Sequence, residues 1–434
     1  MILFSAKIHF IVETSKFSRS FLVELLIFAN NDDVCVIFCT FAKRRYMESS
    51  DRYKIVFCTP AIYSAGGVER IVSYKASYFA EQMGYDVTII VTEGQGRACY
   101  FPLSDKVKVV NFELGFEELW RASFVKKVYL YLNKQRQYKR LLKAELLRIR
   151  PDFTISMLRR EINFLIDIPD GSKKIGELHV NRANYRNFEA NDSNGLKRLF
   201  AKFWMRSLVG KLKRLDQLVV LTDKSKASWP ELSNVTVIPD PITIEVKSEE
   251  VKSEKCSKSV ITIGRYAYQK GYDLLLQAWA EVEKHYPDWT LEIFGQGDQT
   301  DYRQLMSDLG MDSNRCHLNG PVEDVVKAYQ NSTLFVLSSR FEGFGLVLVE
   351  AMACGLPVVS FDCPAGPDEI ITDGVDGLLV PSGDVHALAE KLMTLMADED
   401  LRQRLGKQAR KTAQRYDMTS IANQWTALFE RVKG

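Results

Sequence analysis

The chain has 434 residues, roughly three times the ~150 that serve as a guide to one domain, so two large domains or three ordinary ones are expected and a peptide hormone, a disulfide miniprotein or a lone binding module is excluded. Hydrophobic residues make up 46% and charged residues 26%, an ordinary globular balance that excludes global disorder. Lys plus Arg total 58 against 55 Asp plus Glu, for a net charge of +3, too small to advertise nucleic acid.

Residues 1–52 read poorly. Met1 to Phe41 is apolar and aromatic but lacks a basic leading segment and a small-residue cleavage site. Its best apolar run, Phe21 to Ala29, carries Glu24 and falls short of the ~20 residues that a spanning helix needs. The expectation is an upstream extension or poorly ordered segment with Met47 as the true start; a small amphipathic anchor is the competing reading. The eight cysteines include no C-x-x-C pair and read as reduced thiols rather than disulfides or zinc ligands.

From Tyr53 the apolar runs IVFCT, VTIIV, FTISML, KKIGEL, LVVL and VTVIP alternate with stretches of helical period. Alternation of this kind predicts a parallel sheet flanked by helices. A second series follows: SVITIG, WTLEIFG, TLFVLSS, LPVVSF and GLLVP. The predicted fold is α/β, with two doubly wound Rossmann-like domains at 53–240 and 259–415 joined by a charged, serine-rich linker at 241–258. At 416–434 a helix carries Ile421, Trp425, Leu428 and Phe429 on one side; it either crosses back to the first domain or closes the second.

Ligands of open parallel sheets bind beyond the carboxyl ends of the strands, and five junctions there carry unusual residues. Gly66 and Gly67 open the helix after IVFCT, where backbone amides and the helix dipole suit a phosphate, although a Gly-Gly pair is more often just a tight turn. His179 ends KKIGEL, the position of a reacting group or of a satisfied structural histidine. In GRYAYQKG, Arg265 offers a bidentate fork and Lys270 a point charge to a diphosphate. FGQGD is a weak nucleotide signal lacking the third glycine of the dinucleotide fingerprint, and no P-loop sequence occurs. The fifth junction, SSRFEGFGLVLVEAMACGLPVV, sets Glu342 after a strand and Glu350 on an otherwise apolar helix ended by Gly355 and Pro357. A carboxylate there needs hydrogen bonds, from ligand hydroxyls or from a buried salt bridge.

The Glu342/Glu350 pair within EGFGLVLVEAMACGLPVV, followed by DGVDGLLVPSGD, resembles the donor site of retaining glycosyltransferases of family 4, which have the GT-B fold of two Rossmann-like domains facing a central cleft. GRYAYQKG, the IPDP segment, the GGVER turn and the His179 segment stand in that family's order, and the resemblance runs from about Tyr53 to the C-terminus. It implies that Arg265 and Lys270 neutralise the diphosphate of a nucleotide-sugar donor and that Glu350 accepts hydrogen bonds from ribose. Glu342 would contact the transferred sugar. Gly343, Phe344, Gly345 and Leu346 would line the donor with backbone amides, Val322 would hold the base, Gly66 and Gly67 would close on the diphosphate, and His179 would lie near the sugar. No metal or other cofactor is implied, and Asp398-Glu399-Asp400 reads as solvated helix charge.

The expected activity is thus a hexosyltransferase that moves a hexose or N-acetylhexosamine, with a lean to UDP as carrier, to a saccharide or polyprenyl-linked acceptor in surface-polysaccharide biosynthesis. Another GT-B enzyme, such as an epimerase or phosphorylase, or an idle nucleotide-sugar binder, is the alternative. Two basic stretches, Lys197 to Arg214 and Lys126 to Arg150, suggest peripheral contact with an anionic membrane on its cytoplasmic face; ordinary packed helices with solvated basic faces explain them nearly as well. Nucleic acid is not expected as a partner.

Overall fold

Strands β1 (Lys54–Thr59), β2 (Asp86–Val91), β3 (Lys108–Asn111), β4 (Phe153–Ser156), β5 (Lys173–Leu178), β6 (Gln217–Val220) and β7 (Val235–Val237) form a sheet ordered β3-β2-β1-β4-β5-β6-β7, with every pair parallel. The computed structural model describes residues 52–94, 96–121, 123–182, 185, 195–246 and 257–434. The expectations placed on residues 1–51, with Met47 as the start, and on linker residues 247–256 lie outside the described residues. Residues 52–434 form one compact unit.

Helices α1 (Gly67–Glu81), α2 (Phe124–Ile149), α3 (Gly195–Leu212) and α4 (Asp223–Ala227) accompany the first sheet. The central strand β1 is buried at five of its six positions, as a strand covered on both faces must be, which is why it reads as a continuous apolar run. On α1, Ile71, Val72, Ala76 and Phe79 are buried, and Lys75 sits among them on the same face.

The second sheet contains β8 (Ser259–Ile263), β9 (Thr290–Phe294), β10 (Cys316–Asn319), β11 (Leu334–Leu337), β12 (Val358–Asp362) and β13 (Leu378–Pro381), ordered β10-β9-β8-β11-β12-β13 and again wholly parallel. Its helices are α5 (Tyr272–His285), α6 (Thr300–Asp308), α7 (Val325–Gln330), α8 (Leu346–Ala353), α9 (Pro367–Ile370), α10 (Val385–Ala397) and α11 (Glu399–Ala413). All eleven apolar runs of the sequence contain strands. The two strands it did not announce, β3 (KVVN) and β10 (CHLN), are four-residue edge strands, and so short an element carries almost no periodic signal. Asp398 caps α11, accepting from the Leu401 amide at 2.9 Å, while Glu399 and Asp400 occupy its first turn.

The last helix, α12 (Met418–Lys433), follows the second sheet in sequence but packs into the core of the first. Phe429 stacks on Phe153 of β4 with ring centroids 4.4 Å apart, and Ile421, Trp425 and Leu428 are buried beside it. The chain therefore passes between the lobes twice, which fixes their mutual placement and the cleft between them. No helix among the described residues is long and apolar enough to cross a membrane.

Candidate active site

The carboxyl ends of β5 and β11 face each other across the cleft. Their loops touch: a Cβ placed on Gly343 would stand 2.1 Å from the His179 carbonyl oxygen, so only glycine admits this approach of the two lobes. Two residues on, Gly345 begins α8 with φ +104°, a left-handed conformation costly for any residue with a Cβ. The EGFG sequence thus turns the chain sharply from strand to helix and brings the first amides of α8 to the cleft.

On the second lobe, Lys270 ends the loop after β8 and its Nζ lies 2.8 Å from Glu342 Oε1. The Ser339 hydroxyl donates to the same oxygen at 2.6 Å. The structure therefore joins Lys270 to Glu342, whereas Arg265 is exposed and has no ion-pair partner among the described residues. Val322 is half-buried in the loop beyond β10 at the same end of the sheet. Phe344 is buried against Tyr416, centroids 5.2 Å apart, so its contribution to the cleft is its backbone.

Glu350 is 0% exposed. Its Oε1 receives Arg70 Nη2 of α1 at 2.8 Å and the Thr243 hydroxyl at 2.9 Å. Its Oε2 is buried with no hydrogen-bond partner. Burial pushes the Glu350 pKa up, and Arg70 only partly offsets that, because Arg70 itself is 20% exposed and contributes one nitrogen. Of the two explanations open for this carboxylate, the structure realises a salt bridge on one oxygen and leaves the other with unused acceptor capacity.

On the first lobe, Gly66 precedes α1 in extended conformation without a side-chain cap, and Gly67 faces open space. The Glu69 carboxylate, held by the Ser64 hydroxyl at 3.0 Å, folds back over Gly66. His179 presents Nδ1 to Asp240 Oδ2 at 3.2 Å and Nε2 to Glu177 Oε1 at 3.3 Å. Glu177 in turn pairs with the fully buried Lys75, whose ammonium sits 4.4 Å from the Trp425 ring centroid. Burial alone would lower the His179 pKa; Asp240 and Glu177 outweigh it and hold the imidazole up at about 9. Burial would likewise raise Glu177, and Lys75 with His179 bring it down to about 2.

Lys75, Glu177 and Asp240 were not singled out in the sequence. The signal for Lys75 was its place in the 71, 75, 79 row on the apolar face of α1, and for Glu177 a charge inside the buried run KKIGEL. Glu177, His179 and Asp240 offer ligand atoms within 4.8 Å of one another, a distance at which a cation can be held. The Lys75 ammonium and an imidazolium already balance the two carboxylates there, so the cluster does not fit a metal without displacing Lys75.

Between the lobes, Glu369 of α9 accepts from the Asp223 and Lys224 amides of α4 at 2.6 and 2.7 Å, and Lys224 pairs with Asp368. A closed cleft with cations, spare carboxylate oxygens and helix amides from two sheets suits transfer of a group from an anionic leaving group.

Residues 243–412 match the family model for glycosyl transferases group 1. A Haemophilus influenzae protein described as an uncharacterized glycosyltransferase is 26% identical over 382 residues, covering 86% of this chain and 99% of that one. The amylovoran biosynthesis glycosyltransferase AmsD of Erwinia amylovora is 26% identical over 390 residues, covering 86% and 98%. The crystal structure of a Staphylococcus aureus TarM mutant bound to fondaparinux, alpha-GlcNAc-glycerol and UDP superposes with a TM-score of 0.70 over 87% of this chain and 99% of that one, at 16% identity, a likeness of fold. With its two facing parallel sheets and the match of residues 243–412 to the group 1 model, the chain is a glycosyltransferase of the GT-B fold.

Proposed function

We propose that the protein is a retaining hexosyltransferase of family 4 that moves a hexose or N-acetylhexosamine from a nucleotide diphosphate sugar, UDP being the favoured carrier, to a saccharide or lipid-linked saccharide in surface-polysaccharide biosynthesis. The observation that carries this reading is the second-lobe constellation: Lys270 on Glu342 at 2.8 Å and, eight residues further along the chain, Glu350 wholly buried with a spare oxygen. A ribose diol satisfies that oxygen, and Arg265 and Lys270 offset the charge of a departing diphosphate.

In this reading residues 53–240 present the acceptor and 259–415 the donor. Glu342 orients the sugar and stabilises positive charge on its ring, while the amides of Gly343, Phe344, Gly345 and Leu346 and the turn at Gly66 and Gly67 hold the phosphates. Val322 meets the base. His179, held by its two carboxylates, lies beside the sugar and the leaving phosphate. The leaving phosphate takes the acceptor proton on the face it vacates, so the anomeric configuration is kept. AmsD, named for amylovoran biosynthesis, and the UDP bound to the TarM mutant support the polymer and the carrier.

The test is transfer and donor hydrolysis measured with a panel of nucleotide sugars, with the anomeric configuration of the product read by NMR. Retention is expected, and an inverted product overturns the retaining assignment. Glu342→Ala is expected to lower turnover by at least about 100-fold with an unchanged circular dichroism spectrum; near-normal turnover removes Glu342 from the chemistry. A lipid-linked acceptor suits the exposed Val128, Tyr129 and Leu132 on the basic helix α2, and flotation with anionic vesicles at low salt tests that contact.

A further inference from the structure

Arg70 is the residue through which the two halves of the site meet, and no motif reading assigned it a role. It stands in the first turn of α1, its amide donating to the Gly66 carbonyl at 3.1 Å, so its side chain is rooted one helical turn from the proposed phosphate turn. From there it crosses the cleft and places Nη2 2.8 Å from Glu350 Oε1.

Two properties of this contact are unlike a structural ion pair. A lasting buried Arg–carboxylate pair is normally bidentate and uses both carboxylate oxygens, yet here a single nitrogen meets a single oxygen that Thr243 also occupies, and Oε2 is left buried without a partner. The arginine side chain is also the partly exposed partner, 20% against 0% for Glu350, so its departure does not start from a wholly dry interior. A ribose diol arriving at Glu350 brings two hydroxyl donors, enough to satisfy both oxygens, and competes with Arg70 for Oε1. The displaced guanidinium then lies beside Gly66 and Gly67, where a diphosphate offers the bidentate acceptor that Glu350 does not.

We propose that Arg70 exchanges partners during donor binding: it pairs with Glu350 across the cleft until ribose hydroxyls reach that carboxylate, and it then transfers its fork to the donor diphosphate. This inference rests on the donor assignment made above. It makes Arg70 a positioning residue that couples recognition of the nucleoside to charge on the phosphates. A nucleoside without phosphates has to break the pair and leaves Arg70 with no new partner, whereas a diphosphate supplies one.

The exchange is tested by calorimetric titration of the full chain with UDP, GDP and ADP and with the corresponding nucleosides. In Arg70→Met the diphosphate is expected to bind about tenfold more weakly, the scale of one charge-assisted hydrogen bond, while the nucleoside binds equally well or more tightly because its competitor is gone. Arg70→Lys keeps the charge and the cleft contact, and serves if Arg70→Met does not fold; it is expected to lose part of the diphosphate affinity and none of the nucleoside affinity. Equal loss of both ligands marks a merely structural clamp and overturns the exchange, as does unchanged diphosphate affinity. Failure of the unsubstituted protein to bind any of the nucleotides defeats the donor assignment itself, and the exchange with it.

Discussion

Glu177 in the first lobe and Glu350 in the second are buried almost equally, at 2% and 0% exposure, and their acidities are driven in opposite directions. Glu177 lies among fixed positive charge, with Lys75 and His179 both against Oε1 and both themselves buried. Glu350 has the guanidinium of one partly exposed arginine side chain and a neutral hydroxyl. Desolvation is common to the two, so the difference lies in whether compensation is internal to the lobe or imported from across the cleft. Each carboxylate keeps one buried oxygen without a hydrogen-bond partner, Oε2 in both cases; what separates them is that the charge balancing Glu177 comes from its own lobe and that balancing Glu350 from the other. The Glu177 charge is balanced within one lobe, whereas that of Glu350 depends on the two lobes staying together.

The largest separation is expected from paired amide substitutions followed by urea denaturation. Glu177→Gln leaves the Lys75 ammonium buried without its counter-charge and is expected to cost about 3–5 kcal/mol. A loss under about 1 kcal/mol would mean that Lys75 is as solvated as Arg70, which removes the contrast. Next comes the pH dependence of His179. Its folded pKa is raised from 6.5 to about 9, so the folded state binds the proton more tightly and the stabilisation is complete below pH 6.5 and lost as pH rises through 9. About 3 kcal/mol is involved at 1.36 kcal/mol per unit, and His179→Gln is expected to flatten stability over that window.

A smaller effect is expected for Glu350→Gln, under about 1.5 kcal/mol near neutral pH, because the amide removes a charge that burial disfavours and partly offsets the lost ion pair. The sign of the pH effect at Glu350 is the same as that at His179, in a window that starts at the usual glutamate range rather than the histidine range. Its raised pKa means that the folded state keeps the proton longer than the unfolded state, so the wild-type protein loses stability as pH climbs above the usual glutamate range, and Glu350→Gln should abolish that loss. Smallest of all, Thr243→Val removes one hydroxyl from Oε1 and is expected to cost about 1 kcal/mol. A cost equal to that of Glu177→Gln would show that Glu350 depends on Thr243 as Glu177 depends on Lys75.

Much of this architecture was legible beforehand, and the reason differs from element to element. Both sheets announced themselves because a parallel strand covered on two faces must be apolar throughout, as IVFCT and LVVL are. The short edge strands β3 and β10 escaped because four residues with polar members carry no period. Glu342, Glu350 and Lys270 stood out by motif, and the structure brings Glu342 and Lys270 into contact. Lys75 and Glu177 were readable in principle as charges on core-facing positions, although nothing in either segment said that they face each other 102 residues apart in sequence. Arg70 is the last residue of the GGVER turn, but nothing local gave it a role of its own, since an arginine in the first turn of a helix after a glycine pair is ordinary surface chemistry.

The sequence by itself determined eleven of the thirteen strands, the sharp turn at Gly343 to Gly345 and the carboxylate of α8, because each follows from side-chain period, glycine conformation or the cost of a lone charge in an apolar helix. Only the tertiary structure decided which charges compensate which. The Arg70–Glu350 and Lys75–Glu177–His179–Asp240 contacts join segments that local rules cannot pair. Coulombic strength depends on separation and burial, and those are fixed only when α12 returns to the first lobe and the two sheets close on one cleft.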